Sequence, residues 1–397
     1  MHHAAISRRV CWSSARKCAT LWLAAMTMAG VAVSNAAEPK RGESIRVDRE
    51  VFLQGVTGKP NAIARRPNGE LVIAGVRGTA WAVGVDAAGK VRWRFDEPRD
   101  SAVKSPYQSE FQGVVPLANG NLLLCGKMST AENGGGIGLI ALLDGDGRLL
   151  EQRHWFPNGD RKFFSSTFNR CLPWDGGIAL IGTASDGRQG FAWLVKLDAT
   201  GTKQWEIASL DLAGSHAVET QDHGLVLAEF AAGAEEARFV EVGRNGAIVA
   251  RRTIKGSGYG LVRSVAPAAG VRVLVFEGAR KASLHSLDKG LVDSAMPQAA
   301  EPIFVDQGCG YGLPDGSLAL FGYLQRGGGA FTAPYSAAVE RMSSFGAQES
   351  VQVLDAGGGS FTVRDATPVS PTQFVTVRER VSRDPHASGL VISWITF

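Results

Sequence analysis

Few residues in this sequence have the types and spacing that chemistry needs. Asp144-Gly145-Asp146-Gly147 opens like a calcium loop. Such a loop requires another oxygen ligand two residues on and a Glu at its twelfth position. Arg148 and Trp155 stand in those places. The tetrapeptide also aligns with Asp86-Ala87-Ala88-Gly89 and Asp198-Ala199-Thr200-Gly201, so a plain turn is expected and no metal. His-Glu-x-x-His, Cys-x-x-Cys, Gly-x-Ser-x-Gly and a phosphate-cradling Gly-Lys-Ser/Thr loop are all absent from the sequence. Cys125, Cys171 and Cys309 lie inside apolar runs. They are either buried thiols, or Cys125 and Cys171 form a bridge that leaves Cys309 free. Among the histidines, His223 falls in a tight turn, and His154 and His285 fall in outer strands. His216 is the one expected to face a channel. As a general base it would need an orienting carboxylate, and the nearest, Glu219, should point elsewhere. No catalytic residue, metal ligand set or cofactor is assigned on this reading.

The elements that must position any site are repeats. AWAVGVDAAGKVRWR, from Ala80, and AWLVKLDATGTKQWE, from Ala192, are identical at seven of fifteen positions. The units NGELVIAG (68–75), NGNLLLCG (119–126), DGGIALIG (175–182), HGLVLAEF (223–230), AGVRVLVF (269–276) and DGSLALFG (315–322) recur at about 45 to 57 residues. Each is followed by a third strand, a tight turn and a fourth strand. Alternation such as Trp81, Val83, Val85 has the period of a strand, and no sustained helical stripe occurs. Six units are complete. The seventh is expected from three C-terminal strands between Phe361 and Phe397, joined by an extra strand from Ser44 to Leu53 that would cover an exposed edge. The reading is an all-β, seven-bladed β-propeller closed by its N-terminal strand, occupying 44–397 as one domain.

VDAAGKVRW and LDATGTKQW resemble the blade repeat of the quinoprotein-like propellers. That resemblance implies the fold. The quinone dehydrogenases of that group carry a calcium-bound cofactor and often a vicinal disulfide. No Cys-Cys pair occurs here, so their activity is not carried over.

Residues 1–36 have the pattern of a secretory signal, with Arg8, Arg9, Arg16 and Lys17 ahead of an apolar segment from Ala19 to Val33 and small residues at Ser34 and Ala36. A short linker, 37–43, follows. Later stretches are too short for a membrane span. Removal of the leader takes four of 42 basic residues and none of the 38 acidic ones, which leaves zero formal net charge and no case for nucleic-acid binding. A periplasmic or secreted monomer is expected.

In a propeller the loops joining strands two and three, and those joining successive blades, emerge on one face. Here those loops are long and mix aromatic with basic residues. Tyr107, Arg161, Lys162, Phe163, Tyr259, Arg326 and Tyr335 are the candidates for contact with a partner. A second column, Asn61, Gln112, Asn169, His216, Arg263 and Thr362, is expected at the start of each innermost strand, with Gly310 in blade six, and would rim the channel mouth. The function expected is a non-catalytic propeller that binds a protein partner in the cell envelope through its loop-rich face, as a scaffold or an inhibitor or immunity-type partner. The alternative is a small-ligand binder or enzyme at the channel mouth: a lyase or hydrolase, or less readily a quinone-dependent oxidoreductase.

Overall fold

A computed structural model of the chain describes residues 45–98, 107–130, 136–158, 162–231, 235–264, 270–278, 281–294, 297–300, 306–325, 335–354, 363–380 and 388–397. These residues form strands and turns, with no helix among them. Seven antiparallel blades make a β-propeller, with blades five and six continuous in one nine-stranded sheet. The innermost strands are Lys59–Arg65, Tyr107–Pro116, Ser165–Trp174, His216–Glu219, Gly258–Ser264, Asp306–Gly312 and Val363–Pro368, for blades one to seven. Blade seven has the order Arg46–Gln54, Gly389–Thr396, Gln373–Arg380, Val363–Pro368. Its N-terminal strand pairs antiparallel with the last strand of the chain.

Burial follows strand position. The second strand of blade one, Leu71–Arg77, has five consecutive buried residues, because its two faces meet neighbouring blades. The outermost strand of blade four, Ile248–Lys255, alternates half-buried and exposed residues along its length. Trp81 and Trp193 are fully buried in third strands and fill the wedge between sheets. Trp93 and Trp205, in fourth strands, lie against turns of the next blade. A side chain at Gly147 would strike the Trp93 ring, and one at Gly246 would strike Trp205. Both glycines have positive φ, so each turn needs Gly for its conformation and for its neighbour. That contact explains why the turn glycine and the outer-strand Trp recur together.

Blade five departs from the pattern. Its fourth strand is two short pieces, Val292–Asp293 and Gln298–Ala300, which pair separately with Lys281–Asp288. Pro297 lacks the N–H that would continue the ladder between them. The inner strand of blade five also pairs in parallel with that of blade six, Val262 opposite Gly310 and Ser264 opposite Gly312.

The core between blades two and three holds Val115, Leu123, Phe168 and Trp193, with the Phe168 and Trp193 rings stacked at 4.4 Å. Cys125 and Cys171 form a disulfide in this layer, joining the second strand of blade two to the inner strand of blade three across a sequence separation of 46. Buried Cys309 is a free thiol. Closing a loop of that length constrains the unfolded chain by about 4 kcal/mol. A Cys125→Ala/Cys171→Ala chain is therefore expected to lose roughly 2–4 kcal/mol of unfolding free energy, read by urea denaturation. Wild type treated with reductant should reproduce that loss.

Candidate functional site

The inner strands face the channel as edge strands, and their sequences fit that position. Pro60, Pro116, Pro173 and Pro368 lie in them and have no N–H to leave unpaired. The inner strands of blades one, two and three, like those of blades six and seven, carry a β-bulge at one level. In the first three, pairing skips from Pro60 to Ala62, from Phe111 to Gly113 and from Phe168 to Arg170. The skipped residues are Asn61, Gln112 and Asn169. Opposite these bulges stand Gly75, Gly126 and Gly182, where a Cβ would overlap the carbonyl oxygens of Lys59, Glu110 and Thr167. The glycine that ends each second-strand motif is thus the partner of the bulge.

Of the expected column, Asn61, Gln112 and Asn169 sit at this bulge level. Asn61 donates to the carbonyl of Phe111 at 2.9 Å, and Asn169 to that of Gly214 at 2.7 Å. Both tie one inner strand to the chain entering the next blade, and Gln112 lines the channel. His216 is paired with Ala228, in register with Ala62 and not with Asn61. In blade six the skipped residue is Gly308, two positions before Gly310. Arg263 follows Val262 at the far end of its strand. Thr362 lies outside the described residues. Spacing between repeats does not carry register: blade six shares the bulge, yet its extra residue is Gly308 and not Gly310.

Asp365 is the centre of the channel. It comes from the bulged strand of blade seven and is 5% exposed. Its Oδ1 is 3.1 Å from Arg263 Nη2 and 3.2 Å from Arg170 Nη2, and its Oδ2 accepts the backbone N–H of Ile63 at 3.3 Å. Arg263 Nη1 donates to the Tyr311 hydroxyl at 2.8 Å, and Tyr311 donates to the carbonyl of Ala366. Blades one, three, five, six and seven are joined through this network. Burial raises the Asp365 carboxyl above its ordinary value, against the pull of Arg263 and of backbone N–H groups. Burial likewise raises the Tyr311 hydroxyl and the Cys309 thiol, so both stay protonated at neutral pH. His216 is exposed to water yet enclosed enough that desolvation lowers its pKa, with the Asp365 charge opposing. Glu219 bonds His223 Nδ1 at 2.9 Å and the N–H of Asp175, away from His216.

Around this network lies a cavity of about 420 Å³, lined by inner-strand residues that include Arg65, Gln112, Arg170, Glu219, Arg263 and Asp365. Arg65, Pro116, Glu219 and Pro368 immediately precede the tight turns to the second strands, and Pro173 comes one residue earlier. The cavity therefore reaches the tight-turn end of the channel, opposite the loop-rich face. Arg170, Tyr311 and Asp365 are absent from the sequence reading. The signal for them was present: a charge in an inner strand that is otherwise small and apolar, as in FNRCLP and TVRDAT, must find an opposite charge across the channel.

On the loop-rich face, Arg161 and Arg326 lie outside the described residues. Tyr107 and Tyr335 begin strands at that face, and Tyr259 is the second residue of its strand. Lys162 is exposed. Phe163 packs edge-on against Phe191, with centroids 5.7 Å apart, and serves to hold the loop. Its neighbour Phe164 is the presented residue, 57% exposed. Phe156 and Leu210, where blades two and three end, are also exposed. Among the described residues no group of three His, Cys, Asp or Glu is placed to hold a metal ion.

No family model matches the chain, and no curated protein matches it. Solved structures do. A catalytically inactive virginiamycin B lyase from Staphylococcus aureus with quinupristin aligns at 12% identity and a TM-score of 0.51, over 89% of this chain and 100% of that one. A protein of unknown function from Dyadobacter fermentans gives 12% and 0.52, over 90% of this chain and 100% of that one. The Dos1 propeller gives 10% and 0.52, over 89% and 95%. What these likenesses show is the propeller fold.

Proposed function

We propose that this chain is an exported, non-catalytic β-propeller that binds a macromolecular partner in the cell envelope through its loop-rich face, centred on blade three. The observation that carries this reading is the exposure of Phe164, Phe156 and Leu210 beside Lys162 at one end of blades two and three. Large apolar side chains held on a rigid sheet and flanked by a cation are the usual anchors of protein contacts. The Cys125–Cys171 disulfide supports export, since such bridges persist in oxidising compartments. The channel network supports a scaffold: Asp365, Arg263 and Tyr311 bond to one another and to the inner-strand backbone, as groups that hold a ring together do.

Phe164→Asp is expected to reduce recovery of the partner with the tagged mature protein by about tenfold or more, the size of a central aromatic anchor. Its melting temperature should equal that of wild type, because Phe164 is exposed. Equal recovery by the variant would move the contact away from blade three.

A further inference from the structure

Two polar groups of the cavity have no protein partner among the described residues. Among the described residues, neither Arg65 nor Gln112 takes part in a hydrogen bond or ion pair, and both line the cavity. Arg65 is exposed at the tight-turn end, with its guanidinium near Gly69 of the first turn. Arg170 and Arg263 lie deeper, on Asp365. The lining holds three guanidiniums and two carboxylates, and one of those carboxylates, Glu219, is turned to His223. An excess of positive charge at the end of a narrow, protein-walled channel concentrates field and draws small anions. Apart from Tyr311 and Thr367 the rest of the wall is apolar, with Ile63, Val114, Leu172, Val218 and three prolines on the inner strands. A volume of about 420 Å³ is within the range of small-ligand sites.

We propose that the tight-turn end of the channel binds a small organic carboxylate with an apolar body, held by Arg65 at its charged end and by the aliphatic wall along its length. The planar guanidinium fork matches a carboxylate in two parallel hydrogen bonds. Gln112, deeper in the cavity, offers an amide to a second polar group on the ligand. An inorganic anion would satisfy Arg65 and leave the apolar wall wet, and a neutral body would fill the wall and leave Arg65 unpaired. The site is separate from the partner face, since it lies at the opposite end of the inner strands.

The test uses the full mature chain with three probes, benzoate, benzamide and inorganic phosphate, read by isothermal titration. Benzoate is expected to bind and to weaken as salt rises. Benzamide and phosphate should bind at least tenfold more weakly. Arg65→Gln, an exposed position whose change should leave the melting temperature in place, is expected to weaken benzoate about tenfold, the effect of one charged hydrogen-bonded contact. Phe164→Asp should bind benzoate as wild type does, so that failure of the partner reading and failure of this one are told apart. Binding of benzamide as tight as benzoate, preference for phosphate, no binding of any probe, or unchanged benzoate affinity in Arg65→Gln would each overturn the proposal.

Discussion

Removal of Arg46–Gln54 is expected to abolish the cooperative unfolding transition of the mature chain. The strand makes eight residue pairs with Gly389–Thr396. At about 1 kcal/mol for each ladder hydrogen bond and about 2 kcal/mol for each apolar side chain buried, its contacts rival the whole net stability of a domain, about 5–15 kcal/mol. Leu53 is buried in the layer between blades seven and one. Asp48 accepts bonds from Gln373 at 2.9 Å and Thr396 at 2.6 Å, and Glu50 accepts from Arg378 at 2.8 Å. Without the strand, Arg378 keeps its charge in a buried site and loses the Glu50 carboxylate, and Gly389–Thr396 becomes an open edge. The measurement is a thermal scan by circular dichroism with light scattering. A broad, weak transition with aggregation is expected. A sharp melt at the wild-type temperature would mean that blade seven stands on three strands.

Asp365→Ala is the second change with a large expected effect. It leaves Arg170 and Arg263 facing each other with no carboxylate between them, at side-chain exposures of 16% and 24%. Breaking a buried ion pair from one side costs about 3–5 kcal/mol. About 3 kcal/mol is expected here, because channel water reaches both guanidiniums. Asp365→Asn, which keeps an acceptor for the N–H of Ile63, should lose less. Denaturant titration of the two variants checks the order. An Ala variant within 0.5 kcal/mol of wild type, about the effect of an ordinary surface substitution, would show that the network does not hold the ring.

The ring was legible because its cause is periodic. A second strand such as LVIAGVR is apolar on both faces, and a turn such as DATG ends in a glycine of positive φ. Both recur in chain order, and recurrence is visible without any structure. The N-terminal strand could be placed because blade seven supplied three strands of its own. The channel was less legible. Its contacts join Arg170, Arg263 and Asp365, which are up to 195 residues apart, and no local pattern links them. The inner-strand column failed after blade three because the length of chain between inner strands varies from blade to blade: in blade six the extra residue of the bulge is Gly308, two positions from the one that spacing picks. At the loop-rich face no local pattern distinguishes Phe163 from Phe164. Adjacent aromatics exchange roles according to which one meets Phe191, and that is decided by a loop contact.

The most direct test of the functional account is photo-crosslinking in intact cells, with a benzophenone side chain placed at position 164 or at position 345. Phe345 is the more exposed of the two, at 74%, and lies in a tight turn on the opposite face. Exposure alone therefore favours adducts at 345. The account predicts a discrete adduct from position 164 and none from 345. An adduct from 345 with none from 164 would place the contact on the wrong face and contradict it.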